Sequence, residues 1–164
     1  MGKLPFSVLF GDDIEMEYKG KKIIKLFRFG EKGRFILKFD FVKSNAENDQ
    51  ALVVFFTDFK GKITVDGKTI KPRGKAFPQL RFWEGNPKKT ICFDLIIESG
   101  RIAIANRGQS EDSEFYHSLV FGCAMMPEQI SENKYRFYCN DHKINDDFDD
   151  LIFDLEITKV NNPN

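Results

Sequence analysis

The sequence predicts an all-β chain, folded as a single β-sandwich and more narrowly as a jelly roll of about ten antiparallel strands. Three observations predict it. Apolar residues recur with period two along most of the chain, and the breaks between these runs carry turn residues. Eighteen Phe stand against one Trp, and Phe favours strands while bringing large apolar area with no polar atom to satisfy. At 164 residues the chain suits one domain, read here as residues 1–160 with a disordered tail at 161–164. A domain of this size buries roughly two-thirds of the surface its unfolded chain exposes. A hydrophobic fraction of 41% with 30% charged residues separates it from disordered chains.

The elements follow in order. Lys22–Phe29 is the first run, closed by the turn Gly30-Glu31-Lys32-Gly33. Phe35, Leu37, Phe39 and Phe41 then alternate with Ile36, Lys38, Asp40 and Val42, one face for the core. After a polar loop at Ser44–Gln50 come Leu52–Phe56 and the pair Ile63–Val65 and Lys68–Ile70. Asp66-Gly67 between the last two is a hairpin signal, because both residues tolerate φ > 0. Lys71–Pro78 reads as a loop, Ile91–Ile97 as a strand, and Ser99-Gly100 as a break before Arg101–Ala105. Arg107–Glu114 reads as a loop, Leu119–Met126 as a strand, and Pro127–Asn133 as the one candidate turn of helix. Tyr135–Cys139 and the alternating Leu151–Ile157 frame a last loop at Asn140–Asp147.

Several function classes drop out. Cys92, Cys123 and Cys139 include no C-x-x-C pair, so neither a disulfide framework nor a zinc site is legible, and each reads as a small buried hydrophobe. Asp12 and Asp13 interrupt any signal-peptide core, and no apolar run reaches the ~18 residues of a membrane helix. A cytoplasmic setting with no membrane partner is expected, with leaderless export as the alternative. Net charge is zero, yet residues 1–90 hold 19 Lys/Arg against 11 Asp/Glu, while residues 91–164 hold 6 against 14. Lys19, Lys21, Lys22, Lys25 and Arg28, with Phe27 and Phe29 interleaved, have the composition of a nucleic-acid strip. Overall neutrality weighs against that partner, and lysines protecting an edge strand account for the stretch equally well.

The acidic C-terminal third holds the most distinctive chemistry. Cys139–Ile157 reads C-N-D-H-K-I-N-D-D-F-D-D-L-I-F-D-L-E-I, and Asn140, Asp141, Asp146, Asp147, Asp149 and Asp150 crowd six hard oxygen donors into eleven residues. Calcium takes about six to eight such oxygens in irregular geometry, and a cation would relieve the self-repulsion of so many carboxylates. Calcium is therefore the expected cofactor. The D-x-D-x-D-G spacing of an EF-hand is missing, which excludes that motif. Parity places Asp150 with Ile152 and Asp154, opposite Leu151, Phe153 and Leu155, and brings Asn140 in from the neighbouring strand. The plainer alternative is a solvated acidic turn whose charges guard the hydrophobic strand Leu151–Ile157 from aggregation.

The N-D pair at Asn140-Asp141, the later group Asp146, Asp147, Asp149 and Asp150, and the alternating strand behind them resemble small calcium-dependent bacterial lectins and jelly-roll carbohydrate-binding modules. The tail D-D-F-D-D-L-I-F is also similar to that of certain extracellular calcium-dependent β-domains. The resemblance covers about the last twenty residues, and it implies calcium bridging two sugar hydroxyls. The chain departs from it in lacking an export signal and in carrying more acid.

Other candidates surround this one. Trp83, the only Trp, stands beside Glu84-Gly85-Asn86-Pro87, where aromatic platforms stack on sugars, although partial core burial serves a Trp equally. Tyr116 is a second stacking candidate. Asn106 and Arg107 bring amide and guanidinium groups suited to hydroxyls or carboxylates, or else form a plain turn. His142 lies within the acidic run, where carboxylates would raise its pKa and make ligand binding pH-dependent, unless it is merely exposed. His117 lacks a nucleophile context such as G-x-S-x-G, Cys139 has acidic rather than electropositive neighbours, and no spacing singles out a glycosidase pair among Asp94, Glu98 and the rest. The reading is a non-catalytic, calcium-dependent, carbohydrate-binding module. A structural sandwich assembling into homo-oligomers is the first alternative, and a glycan hydrolase the second.

Overall fold

Period-two alternation becomes twelve strands in a computed structural model that describes residues 10, 13–43, 50–70, 80–83, 89–109, 115–117, 124–140, 148 and 150–161, with backbone alone for 81, 83, 107–109 and 115–117. In chain order they are β1 (Glu15–Tyr18), β2 (Lys21–Ile24), β3 (Phe27–Phe29), β4 (Gly33–Lys43), β5 (Gln50–Val65), β6 (Lys68–Ile70), β7 (Leu80–Trp83), β8 (Thr90–Gln109), β9 (Phe115–His117), β10 (Ala124–Ser131), β11 (Lys134–Asn140) and β12 (Leu151–Lys159). The fold is all-β. One continuous antiparallel sheet runs β1-β2-β10-β11-β12-β4-β8-β5-β6, with β3 and β9 also on β8 and β7 also on β5.

Two long strands turn this sheet into a sandwich. The first half of β8 lies between β4 and the end of β5, whereas its second half pairs with the start of β5 and with β3 and β9. At the junction the β5–β8 register shifts between Thr57 and Gly61, and Asp58 takes φ +48°. Such bulges bend a strand and increase its twist. Gly100 at the facing point has φ +76°, and a Cβ there would lie 2.1 Å from the carbonyl oxygen of Asp58. Glycine is thus required at the corner for both conformation and space.

Past the corner, β3, β9, β7 and the outer halves of β5 and β8 fold back over β11, β12, β4 and the first half of β8. Aromatic contacts mark the seam. Phe27 of β3 meets Tyr135 and Phe137 of β11 at ring-centroid distances of 5.4 and 5.3 Å, Phe29 meets Phe35 edge-on at 4.8 Å, and Phe82 meets Phe93 at 5.6 Å. Between the layers Phe35, Leu37, Phe39, Phe93, Leu95, Phe137, Phe153 and Leu155 are fully buried, the period-two rows expected from the sequence. The order carries an all-β sandwich and stops short of a jelly roll, because the layers are one sheet continuous through β5 and β8.

A second, smaller cluster of Phe10, Ile23, Ala124 and Phe148 covers the opposite face of β1, β2, β10 and β11. Phe148 sits there at φ +51°, in a region a bulky side chain seldom enters, and its burial holds it.

Some expectations need correction. Pro127–Asn133 is not helical: Pro127–Ser131 continue β10, and Glu132-Asn133 make the turn to β11. Beyond Met125 the described ladder gives β10 no partner on its β2 side, an edge position where proline's missing donor is tolerated. Ser99-Gly100 bends β8 without ending it, and Arg107–Gln109 belong to that strand rather than to a loop. Cys92 is exposed, since Ile91, Phe93 and Leu95 take the inward positions around it; Cys139 is buried as expected. Cys123 lies outside the described residues. Among the described residues no helix is long and apolar enough to cross a membrane.

Candidate functional site

The inward row of β8 ends on an amide. Ile102, Ile104 and Asn106 share one face, so the alternation that fills the core carries Asn106 to the end of the sandwich with no exposed surface. Its Nδ2 donates to the main-chain carbonyl of Asn140, the last residue of β11, at 2.9 Å. Its Oδ1, equally buried, receives no hydrogen bond from the described residues. Buried side-chain oxygens are rarely left so, because the lost hydration is not replaced. Gln50, opening β5, is fully buried in the neighbouring row, where it faces Gly108 while Leu52 faces Asn106.

Asn140 itself is fully buried and faces Ala124 on β10. Asp150 donates its main-chain amide to the carbonyl of Cys139 at 3.1 Å, the residue that Leu151 also faces, so Asp150 and Leu151 stand together against Cys139 as in a β-bulge. Asp150 is only 6% exposed. Two of the six predicted metal donors, Asn140 and Asp150, are therefore buried where the chain enters and leaves the acidic segment. Phe148 ties that segment to the second hydrophobic cluster. Asp141, His142, Asp146, Asp147 and Asp149 lie outside the described residues. Among the described residues no group of three or more His, Cys, Asp or Glu converges on a metal position.

The other sequence candidates arrive at the same end by register. Trp83 and Arg107 both face Ala51 of β5, one from each side, and Tyr116 faces Gly108. Residues singled out for unrelated reasons, the Trp, the Asn-Arg pair, the Tyr and the acidic boundary, thus belong to one end of the sandwich. Sequence reasoning misses Gln50, which reads as the last residue of a polar loop. The apolar run beginning at Ala51 is the one signal that a strand starts there.

Away from this end, ionic side chains occupy the outer face of the large layer. Asp154, 5% exposed, accepts two bonds from Arg136 at 2.7 and 3.0 Å and has Lys134 at 3.7 Å. That bidentate bond and the carboxylate's charge hold the Arg136 guanidinium above its ordinary value. Arg34 and Asp94 form a second fork at 2.9 and 2.6 Å. Its hydrogen bonds lower the Asp94 carboxyl and raise the Arg34 guanidinium. Both acids have their own cation, so these groups form cross-strand ties rather than a carboxylate pair disposed for acid–base catalysis.

Compared with known proteins, the chain matches no family model, no curated protein and no solved structure.

Proposed function

We propose that this chain is a non-catalytic binding module that holds calcium at the Asn140–Asp150 end of its sandwich and presents that end to carbohydrate. The observation that carries the reading is the Asn106–Asn140 contact, which leaves the Asn106 Oδ1 buried and without a donor among the described residues, beside the entry to the acidic segment. The donors fit a hard cation: amide oxygens and carboxylates, with Asn140 and Asp150 buried at the two ends of the acidic segment and four further Asp in the intervening sequence. Charge explains the need. Five aspartates from Asp141 to Asp150 repel one another, and a divalent ion offsets that repulsion while pinning β11 to β12.

The carbohydrate part draws on the lectin-like sequence pattern and on the arrival of Trp83, Arg107 and Tyr116 at the same end. Aromatic rings together with amide and guanidinium donors suit a sugar with its hydroxyls. Calorimetric titration with calcium, followed by a glycan array in calcium and again in chelator, tests both parts. Saturable calcium binding with chelator-sensitive glycan signals is the expected result. No calcium heat would remove the metal, and an array blank in both conditions would remove the sugar.

A further inference from the structure

We propose that the corner of the sandwich carries a second site, a hollow in which Arg28 and Arg101 bind a phosphate- or sulfate-type oxyanion. The hollow measures about 470 Å3 and is lined by Arg28, Gly30, Thr57, Asp58, Gly100 and Arg101. Register assembles it. Arg28 of β3 faces Ala103 and Phe29 faces Ile102, so Arg101 falls beside Gly30 and diagonal to Arg28, while Thr57 of β5 faces Arg101 from the other side. Diagonal cross-strand neighbours are about 7–8 Å apart, a spacing from which two guanidinium groups can close on one tetrahedral anion.

Three features point to an anion rather than to two solvated arginines. The first is the missing counter-ion. Arg34 and Arg136 each take a carboxylate in a two-bond fork, whereas neither Arg28 nor Arg101 has an ion-pair or hydrogen-bond partner among the described residues. Asp58, the single acid of the lining, pairs with neither, its backbone turned to φ +48° against Gly100. The second is Gly30, whose φ is not left-handed, so conformation does not demand glycine. A Cβ there would lie 3.0 Å from the Arg101 Cβ and 3.3 Å from the Gly100 carbonyl oxygen, so glycine keeps the hollow open beside the guanidinium stem. The third is Thr57, whose hydroxyl adds a neutral donor to two charged forks, the mixture that recognises tetrahedral oxyanions. The nearby cation Lys60 is instead engaged with Glu98 at 3.8 Å. Asn106 lies five residues further along β8 than Arg101, roughly 17 Å at strand rise, so this hollow is separate from the Asn140–Asp150 end and stands without it.

The test is an amide-resolved NMR titration of the intact chain with inorganic phosphate and with sulfate, against chloride at matched ionic strength. Expected are saturating shifts at Gly30, Thr57, Gly100 and Arg101, weakened about tenfold or more in R28Q and in R101Q, each of which removes a charge-assisted bond from an exposed side chain. K60Q removes the same charge from a neighbouring position and should leave affinity within about twofold. Saturation by either anion supports the site, and the tighter of the two identifies the ester class it takes. Linear shifts equal to those of chloride would overturn it. So would a loss in K60Q as large as that in R28Q.

Discussion

The Asn106 side-chain amide donates to the main-chain carbonyl of Asn140 at 2.9 Å, tying β8 to β11 across one end of the sandwich. Both residues are fully buried, so the bond has no competing water, and its loss removes a buried cross-strand tie. Asn106→Ala should therefore lower unfolding free energy by about 1–3 kcal/mol in urea titrations. With calcium bound at this end, the variant should also lose part of its calcium response, because the strand end that presents Asn140 is no longer held.

The core depends on its aromatic stack. Phe153 lies nearly parallel to Phe137 at 5.0 Å and tilted against Phe39 at 6.5 Å, with no exposed surface. Phe153→Ala should cost about 3–5 kcal/mol, from lost transfer energy plus the cavity. Phe153→Leu, nearer in volume, should cost less than half as much. Equilibrium denaturation with unchanged m-values would show that both act on the folded core.

Acid should weaken the outer face through Asp94. Its hydrogen bonds from Arg34 depress the folded carboxyl below the unfolded one, so the unfolded chain binds a proton more readily. The pair's contribution is complete above the unfolded value, roughly pH 4, and is lost as pH falls through the lower folded value. Arg34→Gln should lower the melting temperature slightly at pH 7. The gap between variant and parent should narrow as pH falls below about 4, and narrow also in high salt because both side chains are partly exposed.

The corner should be intolerant of any side chain at Gly100. Its φ is +76°, and a methyl carbon on its Cα would stand 2.1 Å from the Asp58 carbonyl oxygen, so Gly100→Ala must move backbone. A loss of about 2 kcal/mol or more is expected in urea titrations. Gly67→Ala, in the open hairpin turn, meets no atom and should lose only about 1 kcal/mol, the penalty for its positive φ.

Much of this architecture is legible in the sequence wherever one face of a strand is apolar. Ile91, Phe93 and Leu95 and the row Leu151, Phe153 and Leu155 face the core as their alternation predicts. Continuity is not legible. Residues 57–62 of β5 and Ser99-Gly100 of β8 are mostly polar or glycine because the sheet bends there, and a bend reads in sequence like the end of a strand. The stretch from Pro127 to Ser131 misleads for a related reason: an exposed edge strand has no buried row to advertise its period. Asn106, Asn140 and Asp150 are each visible for their chemistry. That Asn106 meets Asn140 depends on the fold of β8 over β11, which local pattern does not encode. Gln50 escapes because the residues it faces are distant in sequence.

Calcium-linked stability is the sharpest test of an ion at the Asn140–Asp150 end. Melting curves of the intact chain in millimolar calcium, in magnesium and in chelator should separate, with calcium alone raising the midpoint. At about a hundredfold excess over the dissociation constant, linkage gives about 2.7 kcal/mol, or roughly 5–10 °C for a domain of this size. Asp150→Asn combined with Asn140→Ala should abolish that rise while leaving the chelator melt cooperative. Superimposable curves in calcium and chelator for the parent chain would rule the ion out.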